Sequence, residues 1–147
     1  MNLIDFTVDI PPTGKARPRI VNQGGKYHAY NTEKTDAAET AIRNAFRQTD
    51  FTFAPKGVAV SLDVVAYYTI PKSYTKEQRK RIERGELHPT KKPDADNILK
   101  LIADALNGVA YEDDAQIVNM SIMKEYTKHD EGYLKIIVCV DDGWGAL

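Results

Sequence analysis

An α+β fold is predicted for this chain: one compact domain in which helices pack on a mostly antiparallel or mixed sheet. Three observations carry that expectation. At 147 residues the chain is near the modal domain size and long enough to bury a real core. Runs rich in β-branched and aromatic residues at 58–68, 117–126 and 133–140 read as strands. Segments at 33–48 and 94–107 carry apolar residues at helical spacing. No compositional break, internal repeat or low-complexity tract divides the chain, so residues 1–147 are read as one domain without a linker.

The first strand spans residues 3–10, where Leu3, Asp5, Thr7 and Asp9 alternate imperfectly with Ile4, Phe6, Val8 and Ile10, and Pro11-Pro12 ends it because proline cannot continue a ladder. Thr13-Gly14-Lys15-Ala16-Arg17-Pro18-Arg19 mixes turn formers with three basic residues. Asn22-Gln23-Gly24-Gly25-Lys26 then reads as the tip of a small hairpin between Ile20-Val21 and residues 27–30. Thr32, with Thr35 or Asp36, can cap a helix running to about Gln48, with Ala37, Ala38, Ala41, Ile42, Ala45 and Phe46 as its apolar stripe and Arg43 and Arg47 on its other face.

Residues 58–68 form a long strand. Residues 75–84 form a short, mostly charged helix stopped by Gly85, with so little apolar surface that it reads as a solvated or ligand-facing insertion. The next helix starts near Asp94 and stops at Asn107-Gly108. It buries Ile98, Leu99, Ile102, Ala105 and Leu106 and places Asp96, Lys100, Asp104 and Asn107 on the opposite face. Residues 117–126 alternate, with Val118, Met120 and Ile122 on one face and Asn119 and Ser121 on the other, and are expected to pair with residues 133–140 across the Asp130-Glu131-Gly132 turn.

Bulk properties exclude several classes. No apolar run is long enough to span a bilayer and the N-terminus lacks a secretory pattern, so the expected setting is the cytoplasm with no membrane partner. The lone Cys139, in an apolar run, can form no internal disulfide or multi-cysteine zinc site and is expected in the core. A formal net charge of −1 argues weakly against a polyanion partner, but the distribution argues otherwise: residues 1–100 carry 17 basic and 12 acidic side chains, residues 101–147 carry 3 and 9. Residues 72–92 alone hold 8 basic side chains and 3 acidic ones.

Acidic residues crowd around the helix at 94–107 and its exits, in Lys92-Pro93-Asp94-Ala95-Asp96-Asn97, Asp104-Ala105-Leu106-Asn107-Gly108 and Tyr111-Glu112-Asp113-Asp114-Ala115-Gln116. Crowded carboxylates repel unless a proton or a hard cation lies between them. With Asp94 before the helix and Asp96 in its first turn, both can converge at its N-terminus, and Asp114 can approach from the edge of the sheet. Three such oxygen ligands suit Mg2+ or Mn2+. The bland reading is that Asp94 is an N-cap, Asp96 answers the helix dipole, Asp113-Asp114 is a turn, and Lys100 is an i, i+4 salt-bridge partner of Asp96 or Asp104. Asp104 leans structural, and Asp113 is a weaker ligand candidate.

The joint pattern from Lys92 to Lys124, preceded by Pro11-Pro12-Thr13-Gly14-Lys15-Ala16-Arg17-Pro18-Arg19, closely resembles the RusA family of Holliday-junction resolvases. The resemblance implies an α+β homodimer, of a kind often encoded by phages or prophages, that binds four-way DNA junctions and nicks two opposing strands symmetrically with Mg2+. By matched position Asp94, Asp96 and Asp114 would be the catalytic, metal-binding carboxylates and Lys100 the required lysine. No nucleotide cofactor is expected. The DNA contacts expected from the basic segments are Lys15, Arg17, Arg19, Lys76, Arg79, Lys80, Arg84, Lys91 and Lys92, the stretch 72–92 being longer than in compact members. Two alternatives are a non-catalytic junction-binding protein and a Mg2+-dependent nuclease for flap or branched DNA.

Overall fold

Strict apolar alternation builds the sheet of this computed structural model, which describes residues 2–141. Along β4 (Val60–Thr69), Val60, Leu62, Val64, Ala66 and Tyr68 are buried while their neighbours are only half covered. The same period runs through β1 (Asn2–Val8), with Ile4, Phe6 and Val8 inward, and β6 (Tyr133–Val140), with Leu134, Ile136, Val138 and Val140 inward. Successive side chains of a strand point to opposite faces, so these positions make one continuous apolar surface.

Two helices cover it. Thr32 caps α1 (Glu33–Arg47) by accepting from the Thr35 N–H, and Ala38, Ile42 and Phe46 face the core, where the Phe46 ring meets Phe6 edge-on at 5.6 Å. Downstream, α3 (Ala95–Leu106) buries Ile98, Leu101, Ile102, Ala105 and Leu106. Between β4 and α3 lies α2 (Lys76–Glu83), which has a Thr75/Gln78 capping box, buries nothing, and stops at Gly85 with φ of +73°. The charged insertion expected from the sequence is therefore present, as is the hairpin of β2 (Arg19–Gln23) and β3 (Lys26–Tyr30), whose strands are exposed throughout. The fold is α+β with a mixed sheet. No helix among the described residues is long and apolar enough to cross a membrane.

Strand order corrects one expectation. The sheet runs β1-β6-β4-β5 (Ile117–Thr127), with β4 parallel to β5 and antiparallel to β6, so β5 and β6 do not form a hairpin. The connection 128–132 instead steps over the end of β4. Its five residues suffice for two strand spacings, about 10 Å, whereas adjacent strands are usually joined by tighter turns. Central placement suits β6, whose apolar positions gain neighbours on both sides, while β5 takes the edge.

Two local expectations change with it. A register shift at Val60/Ser61 breaks the simple alternation of β5, leaving Val118 at 70% and Met120 at 41% exposure on an open edge. Cys139 is a free thiol that is half-buried and alternates out of phase with the core positions of β6, so it lies on the less covered face and not in the core.

The crossing has a steric consequence at Gly132. A Cβ there would lie 2.7 Å from the Tyr67 carbonyl oxygen and 3.1 Å from Pro12 Cδ, with backbone on one side and a rigid ring on the other. Gly132→Ala is therefore expected to cost about 1–3 kcal/mol, read as a lower urea midpoint, while Glu131→Ala on the exposed side of the same loop stays near wild type. Equal midpoints for Gly132→Ala and wild type would show that the loop shifts freely.

Candidate active site

Asp94 occupies the N-cap position of α3 in an extended conformation, yet its carboxylate makes no capping hydrogen bond. A capping role therefore does not account for this side chain. Its charge instead reaches Tyr68, whose hydroxyl donates to the Pro93 carbonyl at 3.3 Å and whose pKa is raised by burial and then by Asp94. The Lys91 and Lys124 ammoniums lie 5.9 and 5.6 Å from the centre of that ring, and Lys124 Nζ donates to the Lys91 carbonyl at 2.9 Å. The entrance to α3 is thus a knot of one carboxylate, one phenol and two lysines.

Along the helix, Asp96, Lys100 and Asp104 recur at i, i+4 and i+8 and line a cleft of about 430 Å³, closed on its other side by Asp114, Ala115, Ile117 and Met120. The short 3-10 turn Asp114–Gln116 presents Asp114. That turn is fixed by Gln116, whose Nε2 donates to the carbonyls of Pro55 and Val58 at 2.8 and 2.9 Å and whose Oε1 accepts from the Asp113 N–H. Beneath it, the buried Tyr111 hydroxyl donates to the Ala103 carbonyl at 2.6 Å and ties the turn to α3. Burial raises the Tyr111 pKa, reinforced by Asp114 and then Asp104.

Desolvation pushes the exposed Asp114 carboxyl above its ordinary range, and contact with Asp113 and the charge of Asp104 push it further, against the opposing pull of Lys100. Such crowding of oxygen donors is what a hard divalent cation would relieve, and the donor chemistry fits Mg2+ or Mn2+. The carboxylates are nevertheless spread along the cleft. Asp96 and Asp104 stand about 12 Å apart along the helix axis by its rise alone, and among the described residues no three acidic or imidazole groups are gathered closely enough to hold an ion. Of the four residues singled out in the sequence, Asp96, Lys100 and Asp114 share the cleft. Asp94 is not part of its lining.

The remaining basic residues separate by partner. Lys15 is only 13% exposed, and its ammonium sits 2.7 Å from Glu39 of α1 and 3.1 Å from Asp104 of α3. Burial opposes its charge, but the two carboxylates prevail and raise its pKa. Arg84 pairs with Glu86 at 3.0 Å and Glu77 at 3.4 Å, and Arg79 donates to the carbonyls of Pro71 and Tyr74. Arg17, Arg19, Lys76, Lys80 and Lys92 are exposed, and among the described residues no acidic side chain pairs with them.

Two residues of the site were missed or underrated in the sequence. The periodic spacing Asp96-Lys100-Asp104 could have raised Asp104, which touches Lys15 and stands 3.8 Å from Lys100. Glu39 carries no local signal, since its partner is 24 residues away. Gly14 and Lys15 are pressed onto α3: a Cβ at Gly14 would lie 3.0 Å from that of Pro93 and 3.1 Å from that of Asn97, and the Lys15 N–H donates to the Asn97 carbonyl at 3.0 Å.

Removing the Lys15 ammonium strands Glu39, whose side chain is 8% exposed, without its closest partner. Lys15→Ala is expected to cost roughly 2–4 kcal/mol in chemical denaturation, with much of that recovered in the double variant Lys15→Met/Glu39→Leu. A single-variant loss below about 0.5 kcal/mol would place the pair with solvent-exposed bridges.

Comparison with known proteins identifies the family. Residues 9–138 match the family model described as endodeoxyribonuclease RusA. The chain is also 35% identical over 133 residues to the uncharacterized protein YqaN of Bacillus subtilis (strain 168), an alignment covering 87% of this chain and 91% of that protein. On the extent of the family match, this chain belongs to the RusA family of endodeoxyribonucleases.

Proposed function

We propose that this protein is a Mg2+-dependent, structure-selective endodeoxyribonuclease that resolves four-way DNA junctions by paired symmetric nicks. The observation that carries the reading is the row Asp96, Lys100 and Asp104 facing Asp114 across one cleft, in a chain of that family. Negative charge beside a phosphodiester is unfavourable for a protein that only binds DNA, and favours one that recruits a cation there.

In this reading Asp94, Asp96 and Asp114 would hold Mg2+, with Mn2+ as a substitute, although Asp94 lies outside the cleft lining. When bound, the cation supplies Lewis acidity and activation of water. Lys100, 64% exposed at the rim, stabilises the charge that develops on the phosphate oxygens. A structural role explains it poorly, because an exposed pair at 3.8 Å contributes no more than about 0.5 kcal/mol. Asp104 orients Lys100. Arg17, Arg19, Lys76, Arg79, Lys80, Lys91 and Lys92 contact phosphates away from the cleft, whereas Lys15 and Arg84 act through their carboxylate partners. A homodimer places two such sites on a two-fold symmetric junction.

The deciding experiment incubates the protein with a labelled four-way junction, its linear arms and a flap, with and without Mg2+. Paired nicks in the junction alone are expected; preferential cutting of the flap would make it a branched-DNA nuclease, and binding without cutting a junction-binding protein. Asp94→Asn, Asp96→Asn and Asp114→Asn are each expected to abolish cleavage while junction binding persists, since the amide keeps the shape and loses the charge. Lys100→Ala is expected to slow cleavage by about 10²-fold or more with little change in Tm. If activity survives and Tm falls, Lys100 is a salt-bridge residue. For the α2 excursion, Lys76→Ala/Lys80→Ala is expected to flatten the salt dependence of junction binding by about two units of slope and to leave cleavage at saturating protein intact. An unchanged slope would make α2 a solvated face.

A further inference from the structure

The β2–β3 hairpin plays no part in the cleft, yet it is built unlike a surface ornament. Both strands are exposed at every position, and an isolated two-stranded hairpin is marginal in water. Its register pairs Arg19 with Tyr30, Val21 with His28 and Gln23 with Lys26 on one face, and Ile20 with Ala29 and Asn22 with Tyr27 on the other. The first face is cationic and aromatic, with the His28 and Tyr30 rings 6.2 Å apart. The second holds Ile20 at 73% and Tyr27 at 75% exposure, far beyond what solvent favours for side chains of this size.

Charge identifies the partner. Between Asp9 and Glu33 there is no acidic residue, while Arg17, Arg19 and Lys26 are basic and exposed; Lys15 is already engaged by Glu39 and Asp104. A second copy of this arm would be repelled by it, and a polyanion attracted. A two-stranded ribbon has the width of the DNA major groove, and aromatic or branched apolar side chains are the groups that cover unstacked bases. The root of the arm is held at the site: Lys15, pinned to Asp104, lies four residues before Arg19, no more than about 14 Å of extended chain.

We propose that β2–β3 is a DNA-reading arm that lays Arg19 and Lys26 on phosphates and Ile20 and Tyr27 against base faces exposed at a branch point. The proposal rests on the nuclease reading for its choice of a branched substrate. It assigns junction preference to the wedge face and general affinity to the cationic face. The two faces are separable by mutation, because neither contributes to the core.

The test measures binding of a four-way junction and of a linear duplex in EDTA, so that no cleavage enters. Ile20→Ala/Tyr27→Ala is expected to lower junction affinity about tenfold or more, with duplex affinity, salt slope and Tm unchanged. Arg19→Ala/Lys26→Ala is expected to weaken both substrates and to flatten the salt slope by about two units. A 2-aminopurine at the branch point should brighten with wild type and not with the wedge variant. Wild-type behaviour in both variants overturns the proposal, as does a wild type without junction preference; a shift from dimer to monomer in sedimentation of the wedge variant would reassign the face to self-association. A wild type that binds junctions through this arm and cuts nothing sinks the nuclease reading alone.

Discussion

The parallel pairing of β4 with β5 is the constraint on which the site depends. Because β5 begins beside Val60, where β4 also begins, the chain must return the full length of the sheet between the two strands. It does so through α3, which runs counter to both strands with its apolar stripe on the sheet. The end of α3 therefore meets the turn that opens β5, and Asp104 and Asp114 fall on opposite walls of one cleft. An antiparallel β4–β5 pair would have placed Asp114 at the other end of the sheet, beside Tyr68. The excursion α2 hangs from that opposite end, where the Tyr74 and Tyr126 hydroxyls meet at 3.0 Å.

A second constraint holds the helices to each other. The Lys15 ammonium joins the N-terminal loop, α1 and α3 through Glu39 and Asp104, and the Lys15 N–H adds a backbone link to Asn97. With two carboxylates for one ammonium, the charge that enters the interior is only partly compensated, and Arg43 approaches Glu39 at 3.7 Å. Such a cluster is a poor source of net stability and an effective way to fix orientation. Here it fixes Asp104, and through it the neighbourhood of Lys100.

Local patterns made much of this legible. Thr32, Thr75 and Gly85 mark helix ends, and the Asp96-Lys100-Asp104 spacing marks a face; each acts within a few residues, where sequence periodicity carries information. Strand order was not legible, because nothing near 128–132 announces that β4 lies between β5 and β6. Gly132 is the single trace of that crossing, and a glycine in a turn is read as a turn. For the same reason the partners of Lys15 were not legible, since Glu39 and Asp104 are remote from it in sequence. The free Asp94 carboxylate was ambiguous for a different reason, since a used cap and an unused one have the same sequence.

The near-zero net charge conceals a spatial separation that the fold makes explicit. Exposed basic residues sit on the N-terminal loop, the hairpin and the α2 excursion, while the carboxylates line the cleft. On the proposed reading, attraction at the arms and repulsion at the cleft act on different phosphates. Affinity for DNA can then be supplied by the arms with no help from the carboxylates, and the carboxylates remain free to be tuned for a cation. A net charge near zero is thus compatible with nucleic-acid binding when opposite charges sit on different elements of the fold.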